Sequence, residues 1–220
     1  MVDSLKNVKL TYFKLNGMAI LPRMILHYGK VPFTNVIIDR ETEWPELKSK
    51  VEFGFLPQLE IDGKVYSQSF AFNIYLAKKL GLMGKDVEDE YNITTVLSCH
   101  SDLSGFIYKV FFPSNEYEKK PEVLKANTEA FLAKLESIVA ALEARYAKNG
   151  NKKYYLGDSI TLADFWIANT LGLFFLGKGK DMCESTIRKA GPNLAKLAER
   201  LVAEDFKSFL ESDLFIKGSI

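Results

Sequence analysis

Few side chains in this 220-residue sequence have types and spacing suited to chemistry on a small molecule. Tyr12-Phe13 closes a run of strand formers, where a tyrosine could aim its hydroxyl into a cleft, although packing is its commoner use. Trp44 and Lys48 stand four apart, so a helix would bring an indole N–H and an ammonium to one face. The ordinary alternative is a half-buried aromatic beside a lysine stem lying along the surface. Leu56-Pro57 precedes a strand, and proline belongs at a strand start rather than within one. A trans turn proline is the default there; a cis bond would present the Leu56 N–H and C=O to an extended ligand. Gln68-Ser69 opens a helix, whose unpaired N–H groups favour an anion while a hydroxyl and a carboxamide add directed hydrogen bonds. On the dipeptide alone, capping of the helix by Ser69 is the simpler reading.

The elements that must position these residues follow from periodicity. Residues 8–13 alternate and favour a strand, and residues 33–38 form a second β-branched run. Between them, residues 19–28 show helical spacing, with Pro22 tolerable only near the helix start. Strand, helix, strand at this spacing predicts a βαβ unit with parallel strands. Residues 58–61 and 64–66 flank Asp62-Gly63, a strong hairpin signal. Ser67 or Ser69 then caps a helix to about Leu80, with Phe70, Ile74 and Ala77 expected on one face.

From Asp89 onward the pattern is helical only. Phe131, Leu135, Ile138/Val139, Leu142 and Tyr146 follow helical spacing, and Asn149-Gly150 reads as a helix stop. Thr161 and Asp164 form a capping-box pattern before a stretch apolar on all sides, which predicts a helix buried in a core. Gly191-Pro192 breaks the chain before a last amphipathic helix through Leu201. The expected organisation is α/β plus all-α: a domain over 1–82, a linker over 83–88, and a helical domain over 89–220.

Composition excludes several classes. The chain carries 29 Lys+Arg against 28 Asp+Glu, and a net charge of +1 argues against nucleic acid as a partner. The longest uncharged apolar stretch, residues 165–177, has 13 residues, short of the roughly 20 that a membrane helix needs. Early charges at Asp3, Lys6 and Lys9 argue against a signal peptide, so a cytoplasmic protein is expected. Two cysteines (Cys99, Cys183) and two histidines (His27, His100) point away from a disulfide framework and from a metal site. Residues 1–84 hold 11 basic and 8 acidic residues, a weak positive bias toward an anionic ligand.

Taken jointly, the order of these signals resembles the cytosolic glutathione transferases, and within them the sigma-like class that includes glutathione-dependent prostaglandin D synthases and squid lens crystallins. The match lies in Lys9-Leu-Thr-Tyr-Phe13, Glu43-Trp-Pro-Glu-Leu-Lys48, Phe53-Gly-Phe-Leu-Pro-Gln-Leu-Glu-Ile-Asp-Gly63 and Ser67-Gln-Ser-Phe-Ala71. It continues through Ile74-Tyr-Leu-Ala77 and Gly81-Leu-Met-Gly84, and thins to Asp158-Ser-Ile-Thr-Leu-Ala-Asp-Phe165 in the second half.

The resemblance implies a thioredoxin-like domain followed by an all-helical one, glutathione as cosubstrate, no metal, and a homodimer. It implies that Tyr12 donates its hydroxyl to the glutathione sulfur, with Phe13 beside it among the glutathione-binding residues. Trp44 and Lys48 would bind the glycyl carboxylate, Leu56 before a cis Pro57 the cysteinyl portion, and Gln68 and Ser69 the γ-glutamyl end. Asp102 falls where the family has an aspartate that reaches the partner subunit's glutathione; a solvated helix charge is the competing reading. Met18, Phe106 and Tyr108 would line the site for a hydrophobic electrophile, with core packing the alternative for the two aromatics. Met18 stands where sigma-like members have an arginine, which shifts thiolate activation onto Tyr12 and weakens a prostaglandin-isomerase reading. The implied activity is conjugation of the glutathione thiolate to hydrophobic electrophiles. The alternatives are a non-catalytic ligand-binding or structural relative, or a glutathione-dependent isomerase or peroxidase.

Overall fold

The computed structural model describes residues 5–219, which group into two compact units: residues 5–83 together with 202–219, and Gly84–Leu201. In the first unit, strand β1 (Val8–Phe13) runs parallel to β2 (Phe33–Ile38), joined by helix α1 (Ile20–Tyr28). Register is set by alternation: Val8, Leu10 and Tyr12 are buried, so a slip of one residue would expose all three. Strand β3 (Gln58–Ile61) lies antiparallel on the other side of β1, with Leu10 opposite Leu59 and Thr11 opposite Gln58. Strand β4 (Lys64–Tyr66) completes the sheet in the order β2-β1-β3-β4. Asp62 and Gly63 both take positive φ, as the two-residue hairpin turn demands. The short helix α2 (Trp44–Leu47) lies between β2 and β3, and α3 (Ser69–Lys79) packs against α1. This is the thioredoxin-like α/β arrangement.

Two local expectations for α3 fail, for one physical reason each. The residue that caps it is Gln68, at φ 65° and ψ 94°, and no side chain caps the helix; neither Ser67 nor Ser69 does so. The buried face is Ser69, Phe72, Asn73, Leu76 and Ala77; of the expected Phe70, Ile74 and Ala77, only Ala77 is buried, Ile74 is half-buried and Phe70 is 42% exposed. That set is an i, i+3, i+4, i+7, i+8 stripe, disguised in the sequence because two of its five members are polar.

A third difference concerns residues 202–219, which pattern alone leaves with the helical domain. Helix α9 (Lys207–Leu210) buries Phe209 against His27 of α1, with ring centroids 5.7 Å apart, and Ser208 Oγ lies 3.2 Å from His27 Nε2. Local periodicity cannot announce contacts across such a separation.

The second unit is helical. Its first helix α4 (Val87–Phe111) begins two residues before the expected 89, because Asp86 accepts the Asp89 N–H at 2.9 Å as its cap. Helix α5 (Pro121–Lys148) buries Phe131, Leu135, Ile138, Val139, Leu142 and Tyr146 and stops at Asn149 and a positive-φ Gly150, as expected. Helix α6 (Leu162–Trp166) opens on the Thr161/Asp164 capping box, is buried throughout, and runs into a wider-turned continuation to Lys178 that buries Ile167, Ala168, Thr170, Leu171 and Phe175. Helices α7 (Lys180–Ala190) and α8 (Pro192–Arg200) meet at Gly191. No described helix is long and apolar enough to cross a membrane.

Candidate functional site

Strand β1 ends at the site. Tyr12 is its last inward-facing residue, 8% exposed, and its Oη accepts the Met18 N–H at 3.3 Å. The turn between them fits closely against the phenol: a Cβ on Gly17 would stand 2.8 Å from Tyr12 Oη, and Gly17 has φ +37°. Glycine is therefore required there on both counts. Beneath the turn, the fully buried Arg23 of α1 donates through Nη1 to Leu15 O at 2.8 Å and through Nε to Asn35 Oδ1 at 3.1 Å. Burial pushes the Arg23 guanidinium down to about 10, an effect the neighbouring Tyr12 partly offsets.

A cavity of about 140 Å³ brings together Met18, Leu56, Pro57, Gln68 and Ser69, five of the residues singled out in the sequence. The Leu56–Pro57 bond is cis. Ser69 is buried as the first residue of α3; the Ala71 and Phe72 N–H groups donate to Gln68 O at 2.9 and 3.1 Å, so the anion-facing donors of that turn are the N–H groups of Ser69 and Phe70. Four further lining residues were not foreseen as ligand contacts: Glu52, Phe53, Phe55 and Ser67. The Ser67 hydroxyl is buried with no partner, so the cavity holds an unused donor and acceptor. Phe53 carries φ 61°, and Phe53 and Phe55 are exposed on either side of Gly54. Two aromatics bracketing a glycine before a proline were the available signal, but nothing periodic marks them.

Trp44 and Lys48 stand beside this cavity rather than in its lining. Asp39 builds the turn into α2 by accepting the N–H of Thr42 at 2.8 Å, the Thr42 hydroxyl at 2.8 Å and the Glu41 N–H at 2.9 Å. Those bonds, that from Thr42 foremost, hold the Asp39 carboxyl below its ordinary range. Trp44 packs edge-on against Phe13 with centroids 5.6 Å apart, and Arg40 lies 5.7 Å over the Phe13 ring. Phe13 is thus a support for Trp44. Lys48 caps α2 at its C-terminal end, and its exposed stem lies about one van der Waals contact from where a Gly54 side chain would begin.

The remaining three residues belong to the helical unit, on α4. Asp102 is paired with Lys134 at 3.1 Å. Phe106 is half-buried, and Tyr108 is 59% exposed, so core packing does not account for Tyr108.

As assembled, the α/β unit offers an oriented phenol, an uncapped helix N-terminus with hydroxyls, and a nearby ammonium and indole. That set suits an extended, doubly anionic peptide-like ligand. A family model described as glutathione S-transferase, C-terminal domain, matches residues 101–213. The chain is 35% identical over 165 residues to glutathione S-transferase 1 of Ascaris suum, covering 74% of this chain and 78% of that protein. It is 28% identical over 197 residues to the hematopoietic prostaglandin D synthase of Gallus gallus, covering 90% and 87%. A solved structure, monomeric Na-GST-3 of the hookworm Necator americanus, superposes with a TM-score of 0.81 at 26% identity, over 94% of this chain and 97% of that one.

Proposed function

The chain belongs to the glutathione S-transferase family, and from that premise we propose that Tyr12 stabilises the glutathione thiolate for attack on hydrophobic electrophiles. It is a glutathione transferase, sigma-like in its relatives. The observation that carries the finer reading is the single cavity on which Met18, Leu56, Pro57, Gln68 and Ser69 converge, with the Met18 N–H on the Tyr12 hydroxyl. Gln68 and Ser69 take the γ-glutamyl end at the start of α3, the Leu56 backbone pairs with the cysteinyl residue, and Trp44 and Lys48 receive the glycyl carboxylate.

The chemistry follows from proton affinity. A free thiol of pKa about 8.5 is only a few per cent ionised at pH 7, and the thiolate is the nucleophile. A hydrogen bond from Tyr12 Oη to sulfur favours the charged form and lowers that pKa. The sulfur lone pair then forms a C–S bond to the electrophilic carbon. In substitution a leaving group departs with the electron pair of its own bond; in addition a proton completes the product. Met18, 37% exposed, gives apolar adaptable surface to such an electrophile. The rings of Phe106 and Tyr108 give the helical unit surface of the same kind. A homodimer is part of this reading, with Asp102 directed to the partner's glutathione.

Retention on glutathione–agarose, followed by conjugation of a chloronitrobenzene, tests binding and turnover separately. A hydrogen bond to a charged group contributes about 1.5–3 kcal/mol, or roughly 1–2 pKa units. Tyr12→Phe should therefore stay on the resin, raise the bound thiol's pKa by about that much, and lose about 10–100-fold in turnover at pH 7. A thiol that titrates in Tyr12→Phe as in the parent would refute the role of Tyr12.

A further inference from the structure

The turn that orients Tyr12 is itself held from a distant part of the chain. Asn16 is 1% exposed although it sits in a surface turn, and both polar atoms of its carboxamide bond to one residue. Its Nδ2 donates to Ile216 O at 2.8 Å, and its Oδ1 accepts the Ile216 N–H at 3.1 Å. Its own backbone N–H donates to Ser219 Oγ at 3.0 Å, and that hydroxyl in turn donates to Ile216 O at 2.8 Å. Only a carboxamide can give and receive across one residue's backbone in this way: a carboxylate lacks the donor and an aliphatic chain lacks both. The opposing segment is anchored in its own right, since Phe209 is buried and stacks edge-on with Phe215 at 6.0 Å.

We infer that Asn16, clasped by Ile216 and Ser219, is a positioning residue for the transferase reaction: it fixes the turn whose Met18 N–H orients the Tyr12 hydroxyl. The steps are contiguous. Leu15 is tied to Arg23, Asn16 to Ile216 and Ser219, Gly17 fits against Tyr12 Oη, and Met18 bonds that oxygen. Asn16 is not among the residues that line the cavity, and its effect is carried by the turn it holds. The inference rests on the proposed role of Tyr12.

The experiment compares the parent with Asn16→Ala, Ser219→Ala, a chain ended after Asp213, and Tyr12→Phe. The readouts are the pKa of enzyme-bound glutathione, from thiolate absorbance against pH, and kcat and KM for glutathione. Asn16→Ala and the shortened chain should each raise the bound thiol's pKa by about one unit and lower kcat about tenfold, with KM within about twofold. Combining the two changes should add nothing, because both break one link. Ser219→Ala should move both readouts the same way by less, and it keeps the test decisive if the larger changes unfold the protein. A lowered Tm with an unmoved thiol titration overturns the inference, since a merely structural clasp gives that result. If Tyr12→Phe shifts the thiol and the clasp variants do not, the inference alone fails; if Tyr12→Phe does not shift it, the reading of Tyr12 fails and the inference with it.

Discussion

Replacing Asp164 by Asn removes one ionisable group from the start of the most buried helix. Asp164 Oδ1 accepts the Tyr155 N–H at 2.8 Å, and Oδ2 accepts the Thr161 N–H at 2.8 Å and the Thr161 hydroxyl at 3.0 Å. Burial, with Asp164 0% exposed, favours the neutral acid, whereas these three bonds favour the carboxylate. Burial prevails, and the Asp164 carboxyl is pushed up to about 6. An unfolded aspartate titrates near about 3.9, so the folded chain holds this proton about two units more tightly, or about 3 kcal/mol. The folded-state value is the higher one. The associated stability is therefore fully present below about pH 4 and is lost as pH rises through about 6.

In Asp164→Asn one amide oxygen still accepts from Tyr155, but the NH2 group faces the Thr161 N–H and leaves that donor unsatisfied. The cost is about 1–3 kcal/mol at pH 7. The variant does not titrate there, so the parent's advantage over it should narrow by about 2 kcal/mol between pH 4 and pH 7. Urea unfolding of both proteins across that range measures the difference. A parent-minus-variant gap that stays level, or widens with pH, would show that the hydrogen bonds and not burial set this pKa.

Two further predictions follow from side chains around the sites. Phe13→Ala removes the edge-on partner of Trp44, a pairing of about 0.5–1.5 kcal/mol, and should raise KM for glutathione about 2–10-fold with kcat nearly unchanged; a fall in kcat at constant KM would place Phe13 in the chemical step instead. Burial pushes the Cys183 thiol up to about 12 and raises that of Cys99, helped by the Asp102 charge. At pH 8 roughly one Cys183 in ten thousand is then a thiolate. Iodoacetamide should leave Cys183 unlabelled until the chain unfolds, as mass spectrometry would show, and fast labelling of the folded protein would contradict its burial.

What could be read from the sequence was what each segment settles by itself. The alternation of Val8, Leu10 and Tyr12, the Asp62-Gly63 turn and the Asn149-Gly150 stop each depend on neighbours within a few residues, and each stands where expected. The Thr161/Asp164 cap belongs with them. Tyr12, Leu56-Pro57 and Gln68-Ser69 were different: each had a plain packing, turn or capping use, and only their joint order singled them out. The inward face of α3 escapes an apolar pattern because Ser69 and Asn73 lie on it. The clasp on Asn16 was invisible because its partners, Ile216 and Ser219, lie about 200 residues away.

Backbone strain at the cavity leaves no mark in the sequence pattern. Phe53 and Gln68 both take positive φ, at 61° and 65°, and both line the same cavity. Neither residue type signals such a conformation, which sequence rules assign to glycine or asparagine. Each position costs on the order of 1–3 kcal/mol and persists only where the surroundings over-determine it. At Gln68 the bend that strains it also starts α3 without a side-chain cap, and Gln68 O accepts the Ala71 and Phe72 N–H groups. A serine cap, the choice that favours helix stability, would have occupied N–H groups of that first turn. If Gln68 binds as proposed, local propensity and function pull in opposite directions at this residue, which is where reading from propensity fails.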